Sequence, residues 1–312
     1  MQDRTPLFQR PLWVAIFAAT AAIVWGWAYP LIKIGFSEFK ITADMTASKM
    51  LFAGLRFFLS GAIILAVARL RHLPFRVTPP KGQRHLPTYA FLLLYTLLNT
   101  TFHYAFFYFG LSHSPGARAA ILNSLSVFSV VILACLFFKS DRMTTRKVLG
   151  CIVGFSGILA LNLDSNTTHP TESFTLLGDG MIIANALCSA FASLMTRGVA
   201  KRINVFVGTG MSLGLGGALL VVPGLLMGGS LPHITFYGIV LLVLLIAIST
   251  IGFTLYNKLL TLNPVGKVAI YNSLIPVVGA VTSCLCLAEP FYWKYLVAAL
   301  LATAGIYLIN KR

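Results

Sequence analysis

Pro115-Gly-Ala-Arg-Ala-Ala-Ile-Leu-Asn-Ser-Leu125 returns nearly half a chain length later as Pro264-Val-Gly-Lys-Val-Ala-Ile-Tyr-Asn-Ser-Leu274. Six of the eleven positions are identical, where composition alone gives roughly one. Arg118 and Lys267 match as basic residues, and Cys135 and Cys284 keep the same offset. After a one-residue slip, Gly150, Gly154 and Gly157 fall opposite Ala298, Ala302 and Gly305. Two related halves in a very apolar chain point to the architecture of a secondary transporter, with substrate held between the halves.

Composition supports a membrane chain. The 312 residues are 57% hydrophobic and 10% charged, against roughly a quarter charged in soluble proteins. Most of the sequence falls into apolar blocks separated by short polar stretches, each block long enough to cross about 30 Å of hydrocarbon as a helix. A membrane barrel needs alternating strands of about ten residues, and no sustained alternation is present. The net charge of +16 raises nucleic acid as a partner. The basic residues, however, lie in the gaps between apolar blocks, so placement relative to the membrane accounts for them and no nucleic-acid partner is expected.

Neither metal nor cofactor is expected. Cys135, Cys151, Cys188, Cys284 and Cys286 all lie inside apolar blocks, with no His or further Cys at ligand spacing. No Walker-type phosphate loop occurs. Arg4 and Arg10 precede an apolar run, as in a signal peptide, but the run extends through Trp25, Trp27, Tyr29 and Pro30 with no clean cleavage site, and reads as the first spanning helix.

The expected spans are 11–36, 50–69, 87–111, 119–138 and 148–163, then 177–197, 205–227, 234–259, 268–287 and 292–310. With the N-terminus in the cytoplasm, 18 Lys and Arg fall on the cytoplasmic side: Arg4, Arg10, Arg69, Arg71, Arg76, Lys81, Arg84, Lys139, Arg142, Arg146, Lys147, Arg197, Lys201, Arg202, Lys258, Lys267, Lys311 and Arg312. Five fall outside: Lys33, Lys40, Lys49, Arg118 and Lys294. This bias sets the direction, with both termini cytoplasmic. Five helices per half is an odd number, so the second half enters the membrane upside down. The expectation is an all-α integral membrane protein of ten transmembrane helices, built as two inverted-topology five-helix repeats, residues 1–164 and 177–312, joined by a periplasmic linker at 165–176.

The chain resembles the ten-helix, EamA-type members of the drug/metabolite transporter superfamily. The matching segments are Trp25-Gly26 followed by Lys33, Gly54-Leu-Arg56-Phe-Phe, and Tyr108-Phe-Gly-Leu-Ser-His-Ser-Pro115-Gly-Ala-Arg-Ala-Ala-Ile. Leu260-Thr-Leu-Asn-Pro264, Ile275-Pro276-Val and Leu287-Ala-Glu289-Pro290 follow in the second half, and Gly157 and Gly305 close the repeats. Two positions depart from the pattern. Val127 stands where the ninth helix has Pro276, so a kink in the fourth helix is expected to be missing, and Asp141 replaces the expected Glu. The resemblance implies export or exchange of small metabolites without ATP, amino acids foremost, in the bacterial inner (cytoplasmic) membrane. It also implies a path lined by the first, third, fourth, sixth, eighth and ninth helices. The alternatives are a carrier of organic anions or phosphorylated compounds, or a non-transporting scaffold. An intramembrane enzyme needs a nucleophile–base or metal constellation, and none is visible.

Polar groups inside a membrane are costly and mark candidate substrate contacts. Arg56, about two turns into the second helix, is read as a carboxylate contact or, alternatively, a snorkelling or clamping structural residue. Asn99 and His103, four apart, are expected to share a face, with Tyr104 beside them. Asn123-Ser124 and Asn272-Ser273 form the repeated pair, expected to pin half-helices at opposite gates or to bond between helices. Trp25 and Tyr29 precede Pro30, Trp27 is read as packing, and Asn185, Tyr256 and Tyr271 complete the set. The small faces Gly150/Gly154 and Ala298/Ala302 join the two halves or, alternatively, make a homodimer through the fifth and tenth helices.

Overall fold

The computed structural model describes residues 6–79, 87–137, 143–160, 174–263, 268 and 270–310. Several features read from sequence lie outside these residues: most of the linker, residues 264–267 and 269 of the second repeat, Asp141, and the basic residues Arg4, Lys81, Arg84, Lys139, Arg142, Lys311 and Arg312.

Ten helices run through the described residues. They are α1 Pro11–Glu38, α2 Thr46–Leu70, α3 Thr88–Ser112, α4 Gly116–Phe137, α5 Thr145–Ala160, α6 Leu176–Ala200, α7 Val205–Leu226, α8 Phe236–Leu262, α9 Tyr271–Leu287 and α10 Trp293–Asn310. Seven of them, α1–α4 and α6–α8, are long and apolar enough to cross a membrane, and α9 and α10 are shorter apolar helices.

The packing is that of a protein dissolved in lipid. Outward positions carry large apolar side chains, among them Leu12, Ile16 and Ile23 on α1, Leu225 and Leu226 on α7, and Ile239 and Val243 on α8. Inward positions are small: Ala18, Ala21 and Ala22 are fully buried. Between helices in hydrocarbon, attraction comes from close van der Waals contact, which small residues permit. At Gly61 of α2 an added Cβ would lie 2.2 Å from the backbone nitrogen of Gly214 on α7. At Gly305 of α10 it would lie 2.5 Å from the carbonyl oxygen of Gly150 on α5. The small faces of the fifth and tenth helices therefore pack against each other within one chain.

Helix pairing has a two-fold pattern. α1 packs on α9 and α8 as α6 packs on α4 and α3, and α2 packs on α8 as α7 packs on α3. The remaining pairs, α2 with α7, α4 with α9 and α5 with α10, map onto themselves when the halves are exchanged. Each half thus completes the other.

Two helices are interrupted at the repeated Asn-Ser. α4 breaks between Asn123 and Leu125, and α9 opens with a 3-10 turn over Ile270–Ser273. At the α4 break the Ser124 backbone stays in the helical region (φ −61°, ψ −18°), and its N–H and its hydroxyl both donate to the Ile121 carbonyl, at 3.0 and 2.6 Å. α3 carries a π-helical turn over Leu97–Thr101, a common feature of functional helices.

Candidate functional site

A seam of rings joins the halves in the middle of the bundle. Trp25 of α1 sits edge-on to Phe253 and Tyr256 of α8, with centroids 5.3 and 5.1 Å apart. Phe253 reaches Tyr104 of α3 at 6.4 Å, and Tyr104 stacks on Phe57 of α2 at 3.8 Å. Tyr104 also meets Phe107 at 6.1 Å, which in turn meets Tyr29 of α1 at 5.3 Å. His103 lies 4.3 Å from the Tyr104 ring.

Amides are attached at both ends of the seam. Asn185 of α6 donates from Nδ2 to Oδ1 of Asn123 on α4 at 2.6 Å, and Asn123 lies beside the Tyr29 hydroxyl. Asn272 of α9 donates to the Tyr256 hydroxyl at 2.7 Å. On or beside these residues, six buried polar atoms have no hydrogen-bond partner among the described residues: Trp25 Nε1, His103 Nδ1, Asn185 Oδ1, Thr250 Oγ1, Thr254 Oγ1 and Asn272 Oδ1. Burying one such atom costs about 1–3 kcal/mol. Native proteins hold few of them, and each needs a reason.

Eight expected residues are thereby brought together: Trp25, Tyr29, His103, Tyr104, Asn123, Asn185, Tyr256 and Asn272. Three go elsewhere. Arg56, buried between α2, α8 and α3, engages two of its three nitrogens with the protein: Nε donates to the Leu245 carbonyl (3.0 Å) and Ser249 Oγ (2.7 Å), and Nη1 to the Tyr108 hydroxyl (2.9 Å). It clamps α2, α8 and α3. Asn99 does not act with His103. The π turn sends Asn99 and Thr100 to Ser212 of α7, at 3.0 and 3.1 Å, while His103 stays with Tyr104. Tyr271 joins an apolar layer with Phe8, Phe17 and Leu260 near the chain termini. Trp27, two residues from Trp25 and so on the other side of α1, is 41% exposed on the outer surface of the bundle rather than packed.

At the end of the bundle away from the termini, a cavity of about 380 Å³ opens above the seam. Lys33, Arg118, Asp179 and Glu289 line it. Lys33 Nζ pairs with Glu289 Oε1 at 2.9 Å and also donates to the Ser114 carbonyl at 2.9 Å. Arg118 grips Asp179 with two bonds, Nε to Oδ1 and Nη2 to Oδ2, each 2.9 Å. Asp179 and Glu289 are not among the candidate site residues singled out from the sequence; the usable signal is that two of the few carboxylates fall at the helix ends on the same side as Lys33 and Arg118. Among the described residues no three His, Cys, Asp or Glu side chains cluster as a metal site would require.

The sequence model of the EamA-like transporter family matches residues 12–163 and 176–311, nearly the whole chain. The chain belongs to this family. EamA proteins are ten-helix membrane proteins, so this is an integral membrane transporter and not an enzyme. Among its relatives, the uncharacterized transporter YvbV of Bacillus subtilis is 24% identical over 306 residues, covering 96% of this chain and 92% of the relative. A probable amino-acid metabolite efflux pump of Escherichia coli is 25% identical, covering 94% and 93%. A probable terminal-alkyne amino-acid exporter of Streptantibioticus cattleyicolor is 25% identical, covering 96% and 94%. One crystal structure superposes at a TM-score of 0.67 over 95% of each chain, with 17% identity, which shows that the EamA fold is shared.

Proposed function

We propose that this EamA protein is a secondary exporter or exchanger of small amino-acid-type metabolites, working by alternating access. The observation that carries the reading is the set of six buried, unbonded polar atoms on the aromatic seam between the halves. A polar solute bound along the seam would offer partners to these atoms, and the rings would supply its apolar walls. The printed names of the Escherichia coli and Streptantibioticus relatives favour amino acids. The bonds of Arg56 to Leu245, Ser249 and Tyr108 support a structural clamp in preference to a solute contact.

The rest of the reading follows the membrane. Ten spans bring both termini to one face; the bias of basic residues supports a cytoplasmic placement of that face, and the family resemblance supports a bacterial inner membrane. The two-fold helix pairing supports inverted repeats. Small-residue packing of α5 on α10 occupies the faces read as a dimer interface, so a homodimer through these helices uses their outward faces. Among the described residues no carboxylate sits on the seam, which favours exchange or facilitated flux over a carboxylate proton relay.

The test is thermal stabilisation of the purified protein across amino acids, amines, organic acids, nucleotides and phosphorylated sugars. Binding to the folded state raises apparent Tm with ligand concentration. A saturable shift with amino acids, matched by saturable counterflow in proteoliposomes, is expected. A shift with phosphorylated compounds alone overturns the substrate class. Silence with every class, together with no efflux from cells, leaves the scaffold.

A further inference from the structure

The carboxylate of Glu289 occupies a receptor that the rest of the protein builds. Its Oε1 accepts from Lys33 Nζ at 2.9 Å and from the Gly116 N–H at 2.8 Å, and its Oε2 accepts from the Ala117 N–H at 3.2 Å. The two amides are the first of α4, whose amino terminus favours a negative charge. Ser283 stands beside them: its Oγ is fully buried, has no partner among the described residues, and would lie 2.6 Å from a Cβ at Gly116. One ammonium, two aligned amides and a spare hydroxyl make a complete set of donors for a carboxylate.

The two ion pairs of this cavity differ in a way that separates lock from latch. Arg118 and Asp179 are each 1% exposed and held by two bonds, whereas Lys33 and Glu289 are 25% and 13% exposed and joined by one. Glu289 also sits on a turn rather than a helix, following Ala288 at φ 50°, a left-handed conformation costly for a residue with a Cβ. An outward swing of that turn would relieve the strain and open the receptor to the cavity.

We propose that Lys33, the α4 amino terminus and Ser283 form a second solute site at the outer end of the path. This site binds the carboxylate of a zwitterionic solute in exchange for the side chain of Glu289. The exchange is carboxylate for carboxylate, so Lys33 and the helix keep a partner throughout. The displaced Glu289 then takes the ammonium of the solute. The site rests on the amino-acid reading of the central seam, but its chemistry is testable without export.

The experiment is chemical rescue. Purified Glu289→Ala protein is melted in detergent with sodium acetate, glycine, methylammonium chloride or sodium chloride at matched ionic strength. Acetate and glycine raise its Tm saturably, the two chloride salts do not, and the rescue is lost in the Lys33→Met/Glu289→Ala double variant. If Glu289→Ala does not survive purification, Glu289→Gln serves, since a neutral amide is a weaker occupant that acetate displaces. In the wild type, glycine shifts the melt at lower concentration than acetate, because only glycine gives the released Glu289 a partner. Equal rescue by chloride, or rescue kept without Lys33, overturns the receptor. A wild-type protein that responds to neither acetate nor glycine makes Glu289 a fixed helix cap and overturns the exchange, and an equal response to both overturns the ammonium contact of the released Glu289. Rescue without any amino-acid export leaves the receptor standing and removes the central reading.

Discussion

Arg118 and Asp179 face each other through two parallel hydrogen bonds, both 2.9 Å, with each side chain 1% exposed. They tie the start of α4 to the start of α6. Lys33 and Glu289 tie the end of α1 to the turn after α9. Both pairs stand at the same end of the bundle, and each joins a basic residue of the first half to a carboxylate of the second.

Breaking the buried pair one side at a time is expected to be severe. Arg118→Ala leaves Asp179 as an uncompensated buried charge, and Asp179→Asn does the same to Arg118. Each costs about 3–5 kcal/mol, read as a loss of apparent Tm and of folded yield. Arg118→Met combined with Asp179→Leu removes both charges and recovers much of the loss. A double variant worse than either single one contradicts the assignment.

Arg56→Lys separates structure from substrate contact. Lys cannot reproduce the fork that reaches Leu245, Ser249 and Tyr108 together. Charge-assisted hydrogen bonds contribute about 1.5–3 kcal/mol each, so a clear fall in Tm is expected. The ligand-induced shift of the protein that remains folded is retained. A normal Tm with the ligand shift abolished would return Arg56 to the binding site.

Two glycines that face each other are expected to respond differently to the same change. Gly61→Ala places a methyl group 2.2 Å from the Gly214 nitrogen, where only backbone movement can accommodate it. Overpacking of this kind costs about 1–3 kcal/mol, seen as a lowered Tm. At Gly214 the nearest atom to an added Cβ is 3.8 Å away, so Gly214→Ala is tolerated. Equal sensitivity at the two sites contradicts the α2–α7 geometry.

How much of this was legible in the sequence depends on the range of each interaction. Spans such as α1 and α8 were readable because a membrane demands long apolar blocks, and the block is a local property. Gathering Trp25, Tyr104, Asn123 and Asn272 was readable because each is an isolated polar or aromatic residue deep in such a block, which hydrocarbon does not tolerate idly. The direction in which a side chain points was not. Asn99 and His103 obey simple helical spacing only if α3 is regular, and the π turn between them breaks that rule. The Arg118–Asp179 pair was hidden for another reason: its partners are separated by two helices and the linker, and only the fold brings them together.

The seam itself is tested where a substitution changes polarity but little volume. Asn272→Leu removes the donor to Tyr256 and the unbonded Oδ1 together, and His103→Phe removes the unbonded Nδ1. A structural role predicts that relieving a buried orphan is neutral or stabilising. A solute-binding role predicts that Tm holds or rises while transport falls. Loss of one hydrogen bond to the solute, near 1.4 kcal/mol, lowers kcat/KM for counterflow about tenfold. Gly252→Ala gives an independent check from the opposite side, because its new methyl would meet Trp25 Nε1 at 2.5 Å and push the indole from its place against Phe253 and Tyr256. All three variants are expected to keep their fold and lose transport. If they transport normally, the orphaned atoms serve packing alone, and the solute binds elsewhere along the path.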